Sequence, residues 1–130
     1  MPVKKLKVDQ LARRGSSKWL SQQHEEYIAQ KYGGSRSPSS GAAPSDQGDV
    51  RSPSALIECK HRGSYTRPAQ SISIRLSDLE KICDEAWSEG KTPILALRMY
   101  NPDSVLSDRD GMIDLIVKLE RDENDSFTNR

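Results

Sequence analysis

Residues 48–60 read Gly48-Asp49-Val50-Arg51-Ser52-Pro53-Ser54-Ala55-Leu56-Ile57-Glu58-Cys59-Lys60. A short extended piece around Asp49 to Arg51, a turn at Ser52-Pro53-Ser54 and the run from Ala55 to Lys60 make a hairpin. Residues two apart on a strand share a face, so Glu58 and Lys60 sit side by side while Cys59 points the other way. Charges that close an apolar strand are costly to bury without partners, and a metal ion would supply one. The hairpin also brings Asp49 beside Glu58, and two adjacent carboxylates repel each other unless a cation lies between them. Such oxygen donors suit Mg²⁺ or Mn²⁺, and a lysine beside the metal can position a water or stabilise charge on a phosphate. The residue types alone favour a surface ion pair on an edge strand, with Asp49 as a turn residue; the order of Gly-Asp, an apolar strand ending in Glu-x-Lys and a basic loop reverses that.

Upstream, Ser16 to Tyr32 reads as a helix. Ser16 or Ser17 can cap it, Leu20, His24, Tyr27, Ile28 and Lys31 fall on one face, and Gly33 and Gly34 end it. Ser35 to Gly48 is rich in Ser, Gly, Ala and Pro and offers little to bury, so a mobile loop is expected over 34–48. Downstream, 61–71 is polar and basic, contains Gly63 and Pro68, and reads as a second loop. Ser77-Asp78-Leu79-Glu80 has the spacing of a capping box, and Leu79, Ile82, Cys83, Ala86 and Trp87 follow at helical spacing up to Gly90. Ile94 to Tyr100 and Met112 to Leu119 are apolar, β-branched strand candidates. This order predicts an α/β domain with a central mixed β-sheet flanked by helices.

The chain has 130 residues, enough for one ordinary domain and too few for two. With 34% apolar and 30% charged residues, two Trp, four Tyr and one Phe, the core must be modest. The looser parts are expected at the ends, a basic flexible arm over 1–15 and a flexible polar tail over 120–130. The net charge of +1 points to no polyanionic partner by itself, but Lys4, Lys5, Lys7, Arg13, Arg14 and Lys18 cluster near the start. Such an arm could displace counterions along a nucleic-acid backbone, or be a solvated tail. No apolar stretch is long enough to span a bilayer, and MPVKKLKVDQLARRG lacks the apolar run of a signal peptide, so a cytoplasmic protein with no membrane partner is expected. Cys59 and Cys83 lack metal-type spacing, and buried free thiols are expected rather than a disulfide.

Gly48-Asp49 followed by Glu58-Cys59-Lys60 resembles the paired elements of the PD-(D/E)XK nuclease superfamily, with Gly48 in place of the usual proline. Glu25-Glu26-Tyr27-Ile28-Ala29, the Gly turn, Arg36-Ser37-Pro38-Ser39-Ser40-Gly41 and then Gly48-Asp49 narrow the likeness. Together they resemble archaeal-type Holliday junction resolvases and related small phage nucleases over roughly 16–100. The resemblance implies a restriction-endonuclease-like core over 16–119 and a Mg²⁺-dependent endonuclease acting on DNA. It further implies that Asp49, Glu58 and the Cys59 carbonyl hold the metal, that Lys60 orients the attacking water, and that the product keeps a 5′-phosphate. Glu25, with Glu26 as fallback, is the helix glutamate that would complete the site, and Ser40 is the loop serine that would reach the DNA backbone.

Arg36, Arg51, His61, Arg62, Arg67 and Arg75 surround the expected site and fit a phosphate-lined groove. The leading expectation is a structure-selective endonuclease on four-way or other branched DNA. It would act as a homodimer, because symmetric cutting of two strands needs two sites on a twofold axis. The helix bearing Trp87 or the strand Ile94 to Tyr100 could supply the dimer face. The alternatives are a DNA-end-processing or restriction-type nuclease of the same superfamily, and a non-catalytic DNA-binding protein.

Overall fold

A computed structural model describes residues 14–36 and 49–121. Helix α1 spans Ser17–Tyr32, and its start follows from Ser16, whose hydroxyl accepts from the Trp19 N–H at 3.1 Å. Gly33 ends it in the left-handed conformation, φ 65°. Gly34 lets the helix end lie against the sheet, since a Cβ there would clash with the Arg51 carbonyl. Leu20, His24, Glu25 and Ile28 form the buried face, while Tyr27 is 44% exposed.

Five strands make one sheet in chain order: β1 Ser35–Arg36, β2 Asp49–Arg51, β3 Ala55–Arg62, β4 Thr92–Tyr100 and β5 Met112–Lys118. All neighbours are antiparallel except β3 and β4, which are parallel. A parallel pair needs a crossover, and helix α2, Leu76–Ser88, provides it. The turn between β2 and β3 is closed by Ser52, whose N–H donates to the Ala55 carbonyl at 2.9 Å while its hydroxyl accepts from the Ala55 N–H at 3.0 Å.

Both faces of β3 are covered over its first half, which is why Ala55, Leu56 and Ile57 are apolar in succession. Ile57 and Cys59 join Val50, Ile94, Ala96 and Ile28 of α1 in one core. Leu56 joins Ile82 and Ala86 of α2 in the other, with Cys83 and Leu119 at its margin. Cys59 and Cys83 belong to opposite faces and form no disulfide.

The expected α/β architecture with a mixed, helix-flanked sheet holds, with four local corrections. Ser35 and Arg36 leave the expected loop to pair with Arg51 and Val50. His61 and Arg62 belong to β3 rather than to the following loop, because the parallel ladder continues to Arg98 and Met99. Helix α2 starts at Leu76 with Arg75 at its cap position and no side-chain cap, so Ser77 does not close a capping box. Strand β4 is no free face: it lies between β3 and β5 and is buried from Pro93 to Arg98.

The rest of the expected arm, the loop with Ser40 and the end of the tail lie outside the described residues. At their borders, the Gly15 carbonyl accepts from the Tyr65 N–H and Arg121 stacks 4.4 Å from the Trp87 ring centroid. Among the described residues no helix is long and apolar enough to cross a membrane.

Candidate active site at the carboxyl end of the third strand

Strand alternation turns Glu58 and Lys60 toward α2, on the same face as Leu56. Both are nearly buried, at 9% and 8% exposure. Asp49 is the register partner of Glu58 across the β2–β3 ladder.

The Lys60 ammonium donates to Asp78 Oδ2 at 2.7 Å and lies 3.5 Å from Glu58 Oε2. Asp78 was missed as a site residue because it reads as part of a helix start. The signal lay in the topology: a strand–helix–strand crossover returns the helix N-terminus to the end where the strand finishes. A first-turn acid of that helix therefore meets the last charged residues of the strand.

Glu25 is placed differently. It belongs to α1, the helix that covers Ile57 and Cys59 on the opposite face of the sheet. Its carboxylate accepts from Arg36 Nε at 2.9 Å, and Glu26, largely exposed, lies 3.8 Å from the same guanidinium. The contact to Arg36 ties Glu25 of α1 to the first strand of the sheet. Arg36, expected at the DNA, is thereby engaged within the fold. Cys59 directs its side chain into the α1-side core, so its carbonyl is the group that could face a metal.

The remaining cations divide into two groups. Arg51 sits at the far end of β2 from Asp49, where its Nη1 donates to both carboxylate oxygens of Glu89 at 2.7 and 3.0 Å and its Nη2 approaches Glu85 at 3.6 Å. Arg62, Arg67 and Arg75 are exposed and make no ion pair among the described residues. By alternation Arg62 shares the face of Glu58 and Lys60, and Arg75 stands at the start of α2 beside Asp78. A cleft of about 530 Å³ adjoins them at the end of β4, lined by Met99, Asn101, Gln70 and Ile113.

His61 points to the α1 face. Its Nε2 lies 2.8 Å from the Gly63 carbonyl, so that nitrogen carries the proton and donates, leaving Nδ1 as the buried acceptor. Burial pushes its pKa down, as it does for His24, which falls to about 3 with further lowering by Arg98. Arg98 is held by Asp114 at 2.6 and 2.8 Å and lies 4.9 Å from the Tyr27 ring centroid. His61 thus belongs to a buried polar layer under α1. Tyr65 packs between Trp19 and Tyr100, at 6.4 and 5.0 Å between ring centroids, and anchors its loop to α1 and β4.

Among the described residues no three His, Cys, Asp or Glu side chains converge as a metal cluster. The chain matches no family model, no curated protein and no solved structure.

Proposed function

We propose that this chain is a divalent-metal-dependent endonuclease of the PD-(D/E)XK type, acting in the cytoplasm on branched DNA, four-way junctions above all, as a homodimer. The observation that carries the reading is the nearly buried Glu58–Lys60 pair, with Asp78 on Lys60 and Asp49 in register opposite Glu58. Charged groups are held in this way only where partners or chemistry compensate their desolvation.

The donor chemistry fits a hard cation. The proposed ligands Asp49, Glu58 and the Cys59 carbonyl would offer only oxygen donors, which suits Mg²⁺ or Mn²⁺. A bound cation would supply Lewis-acid stabilisation of charge on the scissile phosphate. Lys60, oriented by Asp78, would direct a water toward the phosphorus for in-line attack, leaving a 5′-phosphate. Arg62, Arg67 and Arg75 would line the approach of the DNA backbone.

A non-catalytic DNA-binding role is the second reading, favoured by the 2.7 Å pairing that already neutralises Lys60. Incubation of the protein with Mg²⁺ and labelled four-way junction, linear duplex and single strand separates the readings. Paired symmetric nicks in the junction alone are expected. Equal cutting of every substrate would favour an end-processing or restriction-type enzyme, and binding without cutting the second reading.

A further inference from the structure

Strand β5 forms one edge of the sheet, paired only with β4 among the described residues. Its consecutive residues Leu115, Ile116 and Val117 are 47%, 39% and 39% exposed. Because side chains alternate, exposed apolar residues lie on both faces of the strand. Leu115 and Val117 lie beside Leu97 and Leu95 on the α2 side, and Ile116 lies beside Ala96 on the α1 side. Neither helix reaches over it: α1 packs on β1 to β3 and α2 on β3 and β4. A seven-residue edge strand with no proline is a template for another strand.

We propose that β5 is a homodimer contact, pairing antiparallel with β5 of a second copy so that two sheets become one. The sequence of the strand selects this occupant. A twofold axis perpendicular to the sheet keeps every side chain on its own face, so the axis must pass through a residue. With the axis at Ile116, Asp114 faces Lys118 of the second copy at both ends, Leu115 faces Val117 and Ile113 faces Leu119. With the axis at Asp114 two carboxylates meet, at Val117 Asp114 meets Glu120, and at Leu115 Asp114 meets Ile116. The Ile116 register alone sets opposite charges together and apolar residues against apolar ones. Asp114 can serve both partners, since its side chain stays 30% exposed while Arg98 holds it from within.

The contact stands on this geometry and not on the chemistry of the site. Should that chemistry be as proposed, the two Lys60 groups lie on one side of the joined sheet, about 25 Å apart at ordinary strand spacing. Both sites would then address the same DNA.

Sedimentation of the full chain at micromolar concentration is expected to give a dimer, and Ile116→Lys a monomer with unchanged circular dichroism. Lys118→Glu, which changes only an exposed position, is expected to weaken the dimer, because the new carboxylate meets Asp114 of the other copy at both ends of the contact. In a Cys83→Ser background, Ile116→Cys should oxidise to a covalent dimer, because the residue faces itself within disulfide reach. Lys118→Cys should not, since it lies about 13 Å from its counterpart along the strand. A monomeric parent chain, a dimer unaffected by both charge variants, or cross-linking at Lys118→Cys in preference to Ile116→Cys would overturn the proposal. Cleavage is not read here, so failure of the dimer and failure of the nuclease reading are distinct outcomes.

Discussion

Lys60 Nζ lies 2.7 Å from Oδ2 of Asp78, a residue eighteen positions later on a different element. The pair joins the end of β3 to the first turn of α2 and sets the direction of the cation beside Glu58. Loss of such an anchor frees a long side chain in a site where displacement by an ångström costs about 100-fold in rate. Asp78→Asn is therefore expected to slow single-turnover cleavage roughly 10- to 100-fold with little change in DNA affinity. Asp78→Glu should recover part of the rate and shift the pH–rate profile toward that of the parent. Equal rates for parent and Asp78→Asn would show that Asp78 does not position Lys60.

Glu25 and Arg36 form a contact between α1 and β1 with the carboxylate almost fully buried. A double-mutant cycle with Glu25→Gln and Arg36→Gln, read by urea unfolding, should give a coupling of about 1–2 kcal/mol. Strict additivity would mean that the pair is not coupled in solution. Cleavage by Glu25→Gln, measured alongside, reports whether Glu25 also serves the metal site as the family resemblance implies.

The buried histidines predict how stability responds to acid. Folded His24 takes up a proton only near pH 3, whereas an ordinary histidine does so near 6.5. Between these values the unfolded chain binds more protons, so acid favours unfolding. The stabilisation is complete above pH 6.5 and is lost as the pH falls, at about 1.4 kcal/mol per unit. His61, also lowered by burial, acts in the same direction. Urea melts at pH 7 and pH 5 should differ by about 2 kcal/mol from His24 alone, and His24→Gln should remove that part. An identical pH dependence in His24→Gln would contradict a buried neutral imidazole.

The two groups of arginines should separate in binding. Arg62→Ala is expected to weaken DNA binding similarly for all sequences and to reduce the salt slope by about one. Arg51→Ala, which gives up the exposed contacts to Glu89 and Glu85, should leave binding unchanged and lower stability only slightly. Fluorescence anisotropy at several salt concentrations decides both, and a larger binding defect in Arg51→Ala would reverse the assignment.

The sequence shows these features unevenly, for physical reasons. The β2–β3 hairpin, the alternation of Glu58 and Lys60 and the two helix ends marked by glycine were legible because each is local. The offset start of α2 was not: Ser77 has the right spacing for a cap, yet the chain enters the helix at Arg75 with Asp78 turned to Lys60. Helical spacing identified the face of α1 but not which side of the sheet it would cover. The site role of Glu25 came only from the family resemblance, and no local pattern announced its ion pair with Arg36 eleven residues later. The ion pairs of Arg51 were hidden for a similar reason, since Glu85 and Glu89 lie more than thirty residues later, at the end of α2.

The central claim is that Glu58 and Lys60 form a metal-dependent phosphodiesterase centre with Asp49. Single-turnover cleavage of a labelled four-way junction by the parent, Asp49→Ala, Glu58→Ala and Lys60→Ala, each with Mg²⁺ and with chelator, tests it most directly. The account predicts symmetric paired nicks by the parent that vanish with chelator and in each variant, while junction binding persists. Cutting by Glu58→Ala at the parental rate, or parental cutting in chelator, would contradict it.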